Sequence, residues 1–259
     1  MADLIKTKEQ IETMAEGGRR LGAVLDALRE AVRPGITTRE LDRIARMQIE
    51  AGGDKPAFLH YRPAGAEKAY PYTLCSSVND VVVHGQPSNY ALREGDIVKL
   101  DLGLRHNGLY LDSAITVPVG GMSAVPKEVR ALIAATEEAL YAGVKAAKPG
   151  KRLGDIGYAI ERTVHKAGFS IAEGLTGHGI GEALHEDPAV FNFGDKGTGA
   201  ILKEGMVLAI EPMVAIGKGG IVQLRDESYG TIDRSWAAHF EHTIVITAKG
   251  SRILTPNAS

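Results

Sequence analysis

The chain has 259 residues, 44% of them hydrophobic and 24% charged. That is ordinary globular composition with enough length for a sizeable core, and it excludes collagen-like, low-complexity and disordered classes. Its 30 Lys and Arg against 32 Asp and Glu leave a net charge of −2, so it lacks the overall positive field that draws a chain to nucleic acid or anionic membranes.

Residues 1–20 carry Lys6, Lys8, Glu9, Glu12, Glu16, Arg19 and Arg20 with no continuous apolar run, which argues against a secretory leader. No stretch approaches the roughly 18 apolar residues of a membrane span. The single cysteine, Cys75, excludes an intrachain disulfide and a Cys-rich zinc module and fits a reducing compartment, so a cytoplasmic address is expected.

Thr7-Lys8-Glu9-Gln10 reads as a capping box, and Ile11, Met14, Leu21, Leu25, Leu28 and Val32 follow at helical spacing. Pro34-Gly35 breaks this first helix. Thr37 to Glu40 starts a second, carrying Leu41, Ile44 and Ile49 and ending near Gly52-Gly53. Residues 72–77, 81–84, 96–104 and 109–117 are rich in β-branched and apolar residues and predict strands. After Pro126 a long helix returns with Val129, Leu132, Ile133, Leu140 and Val144, and ends at Lys148-Pro149-Gly150. Arg33-Pro34-Gly35 followed by Leu41, Ile44, Ala45 and Gly53 matches Lys148-Pro149-Gly150 followed by Ile156, Ala159, Ile160 and Gly168. Strands are predicted again over 201–211 and 240–247. The pattern implies a duplicated helix-plus-strand unit with pseudo-twofold symmetry, against the alternative of a common supersecondary pattern recurring by chance. No Gly/Ser/Pro tract separates the halves, so one fused domain over 1–259 is expected.

The chemistry centres on Val98-Lys99-Leu100-Asp101-Leu102-Gly103, the dipeptide Asn107-Gly108, and Leu109-Tyr110-Leu111-Asp112-Ser113-Ala114. Asn-Gly is a strong two-residue hairpin signal. With that dipeptide as the loop, Gly103 pairs with Asp112 and Asp101 with Ala114, so both carboxylates face one side as diagonal neighbours, about 7–8 Å apart at Cβ. Asp is depleted in strands, and a carboxylate among Leu100 and Leu102 requires a reason. A wet strand face explains either residue alone; for the pair, a shared ion explains as much.

Gly177-His178-Gly179-Ile180-Gly181 reads as a Gly-rich loop that leaves room for an imidazole in a cleft, and Leu184-His185-Glu186-Asp187-Pro188 follows it. Glu211 in Val207-Leu208-Ala209-Ile210-Glu211-Pro212-Met213 and Glu241 in Phe240-Glu241-His242-Thr243-Ile244 are two more carboxylates in apolar, strand-like surroundings. Each alone reads as a surface or rim residue. Four carboxylates and an imidazole brought together repel one another unless cations neutralise them. Two divalent ions against two Asp and two Glu balance with His178 neutral, and this oxygen-dominated set suits Mn, Fe or Co. Such a paired site polarises a carbonyl and activates water for hydrolysis.

These motifs closely resemble the type I methionine aminopeptidases over nearly the whole chain. The likeness rests on Val83-His84-Gly85, Asp101 with Asp112, the 177–181 and 185–188 stretches, Ile210-Glu211-Pro212-Met213 and Glu241-His242-Thr243. The resemblance implies an α+β, pita-bread fold: two pseudo-symmetric helix-plus-strand halves around a central antiparallel sheet. It implies two divalent metal ions (Co, Mn or Fe) bridged by Asp112 and Glu241, one completed by Asp101 and the other by His178 and Glu211. Glu211 would also shuttle a proton, His84 would contact substrate near the scissile peptide, and His185 would stabilise the tetrahedral intermediate. Tyr70 and Cys75 fall where the family lines its methionine pocket, although Cys75 fits simple core filling as well. The implied substrates are N-terminal Met peptides of nascent proteins with a small second residue. Transient ribosome contact and a monomeric state are expected with them, and neither DNA nor membrane.

His60, His106, His165, His239 and His242 have no metal role carried over from the family and read as residues at the surface or packed behind the metal ligands. Residues 62–68 look longer than in many relatives, and Leu184 and Ser228-Tyr229 stand where aromatics are common, so the rim of the methionine pocket is where this chain departs from the pattern. Two rival readings share the fold. An Xaa-Pro aminopeptidase or dipeptidase shares the ligand pattern, but Met213 and Asp187-Pro188 count against it; a non-catalytic binding protein is disfavoured by the complete ligand set.

Overall fold

The structure, a computed structural model, describes residues 4–62 and 68–256. Four α-helices stand among the described residues: α1 (Lys8–Ala31), α2 (Thr38–Ala51), α3 (Lys127–Ala146) and α4 (Leu153–Lys166). The first two start as the sequence predicts, because both capping boxes close. Thr7 N–H donates to Gln10 Oε1 at 2.8 Å and Thr37 N–H to Glu40 Oε2 at 2.9 Å, while each threonine side chain accepts from the backbone N–H three residues on. Arg152 N–H donates to the Asp155 carboxylate at 2.9 Å and so fixes the start of α4.

In chain order the strands are β1 (Lys55–Pro56), β2 (Leu74–Val78), β3 (Val81–Val83), β4 (Ile97–His106), β5 (Leu109–Pro118), β6 (Ser170–Ile171), β7 (Thr176–Gly179) and β8 (Glu186–Phe191). They continue as β9 (Val207–Ile210), β10 (Met213–Ala215), β11 (Ile221–Gln223), β12 (Tyr229–Thr231), β13 (Ala237–His239), β14 (Glu241–Thr247) and β15 (Gly250–Ile253). The main sheet has nine strands, with β1, β4, β5, β14, β9, β7 and β8 side by side and β2 and β15 flanking β4 and β14. Its pairings are antiparallel throughout. Two three-stranded sheets, β13–β10–β6 and β11–β12–β3, complete the structure.

The duplicated halves meet where β5 pairs with β14. Helices α1 and α2 precede the β4–β5 hairpin in one half, and α3 and α4 precede β9 and β14 in the other. The helices cover one side of the strands with Leu21, Leu25, Leu28, Leu132, Leu140, Ile156 and Ile160, all buried in one continuous apolar core. The opposite face carries polar residues among buried small and apolar ones such as Cys75, Ala114 and Ala209.

Two strand expectations change. The segment predicted over 201–211 is a strand only from Val207, because Gly205 at φ 85° and the Met206 N–H to Lys203 carbonyl bond make a turn there. The glycine-rich stretch around His178 is strand β7 and not a loop. A Cβ on Gly177 would sit 2.3 Å from Ala209 O and one on Gly179 2.1 Å from Asp187 O, so these glycines let three backbones approach closely. The lengthened segment falls mostly on residues 63–67, outside the described residues.

Helix α1 depends on a similar close approach. A Cβ on Gly18 would lie 1.8 Å from the carbonyl oxygen of Leu254, a backbone atom that has little freedom to move. Gly18→Ala is therefore expected to destabilise by about 1–3 kcal/mol, lowering Tm by about 2–10 °C for a chain of this size. A melting curve that matches the parent would contradict this packing.

Candidate metal centre

Strand register assembles the candidate site. The two-residue loop forms as predicted, with Asn107 at φ 46° and Gly108 at φ 92°, both positive as a type I′ turn requires. Asp101 pairs with Ala114 and Gly103 with Asp112. On the other side of β5, Glu241 pairs with Ala114. Asp101, Ala114 and Glu241 thus form one row across three strands, with a small side chain between two acids. Continuing the β14–β9 register one step past Ile210 brings Glu211 beside Glu241. The adjacent row contains Asp112, whose N–H donates to Thr243 Oγ1 at 3.0 Å, then Ala209 opposite Thr243, then His178 opposite Ala209. All five predicted residues therefore face one side of one sheet.

The side chains converge accordingly. One donor atom each from Asp112, His178 and Glu241 lie within 4.8 Å of one another, as do one each from Glu211, His239 and Glu241. His178 Nδ1 sits 2.8 Å from the Gly179 carbonyl. A carbonyl only accepts, so the proton is on Nδ1 and the Nε2 lone pair faces inward, 3.6 Å from Glu211 Oε1. Glu211 is held from behind by Asn192, whose side-chain N–H₂ donates to its backbone carbonyl at 3.0 Å.

The electrostatics require a cation. Asp101, Asp112 and Glu241 are buried, and Asp112 Oδ1 and Glu241 Oε1 have no hydrogen-bond partner among the described residues. Burial above all, and then the neighbouring acids, push Asp112 and Glu241 well above the usual carboxylate range. Burial likewise lifts Asp101 and Glu211 to about 7. Left unpaired, such groups cost about 1–3 kcal/mol each and more when charged, so the donor set fits divalent ions that accept oxygen and imidazole ligands.

Two more predicted histidines stand at the rim. His84, exposed at the end of β3 with φ 60°, has its ring edge-on to Tyr229 at 5.9 Å. His185 lies edge-on to His178 with ring centroids 4.4 Å apart, and its Nδ1 is 2.7 Å from the Tyr61 hydroxyl. The turn that carries it is fixed by Glu186, which accepts from Lys6 Nζ at 2.8 Å and from the N–H groups of Glu182 and Ala183. Cys75 is buried opposite Asp101 in β2, and burial pushes its thiol up. Tyr70 donates to the Leu74 carbonyl at 3.0 Å beside it. Of the residues where this chain departs from the family pattern, Leu184 and Ser228 are buried, and Ser228 Oγ donates to Asp226.

Of the five histidines read from sequence as lying at the surface or behind the metal ligands, three are in the interior. His106 Nδ1 pairs with Asp54 Oδ1 at 2.7 Å, and His242 Nδ1 lies 3.2 Å from Thr255 Oγ1. His239 is 1% exposed and its Nε2 is 3.5 Å from Glu211 Oε2, inside the cluster itself. His60 and His165 are exposed, as expected. The signal for His239 was its two-residue spacing from Glu241, which places both on one face of an extended chain. Nothing in the sequence pointed to Tyr61.

Comparison with known proteins agrees with this geometry. Metallopeptidase family M24 matches residues 12–248. The chain is 42% identical over 253 residues to methionine aminopeptidase 1 of Bacillus subtilis, covering 97% of this chain and 98% of that protein. It superposes on the crystal structure of a methionine aminopeptidase from Thermotoga maritima with a TM-score of 0.91, at 41% identity over 97% of this chain and 98% of the other. A prolidase from Pyrococcus furiosus is more distant, with a TM-score of 0.77 and 25% identity, and the chain covers 66% of it. The architecture is the pita-bread fold.

The raised carboxyls give a pH signature. Ordinary acids titrate near 3.8 to 4.5, while Asp101 and Glu211 titrate at about 7 in the folded, metal-free protein. Their contribution to stability is therefore full below about pH 4 and lost as pH rises through about 7. Stripped protein should lose Tm across that window relative to protein with divalent cation, so the gain in Tm from the cation grows from pH 5 to pH 8. Binding should also release protons near neutral pH, read as a calorimetric enthalpy that changes with the buffer's ionisation enthalpy. A gain in Tm independent of pH, with no proton release, would contradict the buried cluster as the binding site.

Proposed function

The chain belongs to metallopeptidase family M24, among its methionine aminopeptidases, and from that membership we propose that it removes the N-terminal methionine of nascent proteins with a small second residue. The observation that carries the reading is the pair of acid rows, Asp101 with Glu241 and Glu211 beside Asp112 with His178, on one buried sheet face. In it, Asp112 and Glu241 would serve both of two divalent ions (Co, Mn or Fe), with Asp101 completing the set for one and His178 and Glu211 the set for the other. When bound, the ions polarise the scissile carbonyl and make the attacking water more acidic.

The chain's own residues supply the remaining steps. Glu211, at the open end of its row, accepts a proton from the attacking water and returns it to the departing amine. The Tyr61 hydroxyl engages Nδ1 of His185 at 2.7 Å, which leaves Nε2 to hydrogen-bond the developing oxyanion. His84 hydrogen-bonds the substrate beside the scissile peptide. Cys75, buried opposite Asp101, and the half-buried Tyr70 line the pocket for the methionine thioether, a polarisable group suited to an apolar wall.

Selection of a small second residue is steric in this account, because that side chain must pass close to the metals. No helix among the described residues is long and apolar enough to cross a membrane. Work on nascent chains implies a cytoplasmic address and transient ribosome contact for a monomer whose single domain spans 1–259, and the balanced charge favours neither DNA nor a membrane surface.

The direct test is hydrolysis of Met-Ala-Ser beside Ala-Pro-Ala by metal-stripped protein with Mn, Fe or Co added back. Release of Met alone, and only with metal, is expected. Release of Ala from the proline peptide would instead support a prolidase-like activity, and no turnover with any metal would support a binding protein. Met-Lys and Met-Phe peptides should be cleaved far more slowly than Met-Ala. Glu211→Gln should fold normally and lose at least about 10²-fold in kcat; near-parental turnover would remove Glu211 from the proton path.

A further inference from the structure

The unused group nearest the reacting centre is His239, which the family pattern does not employ. Its position is fixed by strand pairing: it ends β13, opposite Met213 of β10. Its N–H also donates to the Thr116 hydroxyl oxygen at 2.9 Å, and its carbonyl accepts from that hydroxyl at 2.7 Å. From that anchored backbone the ring points into the acid cluster, where its Nε2 is 3.5 Å from Glu211 Oε2. One donor atom of His239 lies within 4.8 Å of donor atoms of both Glu211 and Glu241. The ring is 1% exposed, yet neither nitrogen has a hydrogen-bond partner among the described residues. An imidazole in the interior with both nitrogens unsatisfied is costly, and a partner beyond the protein's own atoms accounts for it.

We propose that His239 is a further ligand to the divalent ion held by Glu211 and Glu241, which makes the centre one of two imidazoles and four carboxylates. The proposal rests on the metal-centre reading above and extends it. A neutral imidazole adds a donor without adding charge, so four acids still balance two divalent ions. It changes the character of the site instead, because imidazole suits iron, cobalt or zinc better than manganese or magnesium. Glu211 then lies between two imidazoles, His178 toward one carboxylate oxygen and His239 toward the other.

Proton NMR of the protein loaded with two equivalents of Co(II) provides the test, since each cobalt-bound histidine gives one hyperfine-shifted, solvent-exchangeable ring N–H resonance. Two such resonances are expected in the parent, one in His239→Gln, and one in His178→Gln. A single resonance in the parent, lost in H178Q, would overturn the proposal and leave His239 as a hydrogen-bond partner of Glu211; two resonances persisting in H239Q would overturn it as well. No shifted resonance at all would instead sink the metal-centre reading on which it rests. The count in the parent does not depend on any variant folding, and His239→Asn serves where H239Q does not fold. Calorimetric titration adds a second readout: H239Q should weaken Co(II) about tenfold or more and Mn(II) less, whereas equal affinities in parent and variant would contradict ligation.

Discussion

The structure depends on one electrostatic constraint, the convergence of four carboxylates on the buried face of a sheet. Asp101 and Glu241 flank Ala114 in one row, Glu211 extends that row, and Asp112 stands in the next. Moving a charge out of water costs several kcal/mol even after relaxation. The protein offers few internal donors to Asp112 and Glu241, and oxygens of both remain unpartnered. Divalent cations resolve the conflict, which makes metal binding part of how the interior is satisfied. The same demand explains the antiparallel register, because a one-residue slip in any of β4, β5 or β14 would turn an acid to the helix side.

The surroundings follow from that constraint. Helices pack on the side of the sheet away from the acids, and core residues such as Cys75 and Val245 also stand on the acid face. Glycines at 177 and 179 let β7 approach β9 and β8 closely enough to bring His178 to the cluster. The His178 proton is fixed on Nδ1 by a backbone carbonyl, and His185 is braced by Tyr61 and by the turn that Glu186 and Lys6 hold. In each case a backbone or outer side chain sets which imidazole nitrogen faces the reaction.

Much of this was legible in the residues, for physical reasons. Asn107-Gly108 fixes a two-residue loop, and from that loop the facing of Asp101 and Asp112 follows by counting. Glu211 and Glu241 were visible because an acid inside an apolar strand is unusual and needs a partner. The capping residues Thr7 and Thr37 marked helix starts that the structure reproduces. What escaped depended on tertiary approach. Gly177 and Gly179 read as loop residues because sequence does not show that neighbouring carbonyls press against them. The strand expected from residue 201 shortened where Gly205 takes a positive φ. His239 read as an outer residue, since a lone histidine two positions before an acid has meaning only once the strands converge. Tyr61 reaches His185 across 124 residues of sequence, which no local pattern encodes.

We propose that the acid cluster holds two divalent ions. Anomalous diffraction from metal-loaded crystals, recorded at the absorption edge of the added metal, tests it most directly. The account predicts two peaks on the sheet face, one bounded by Asp101, Asp112 and Glu241 and the other by Asp112, His178, Glu211 and Glu241. Peaks elsewhere, or none on that face at saturating metal, would contradict it.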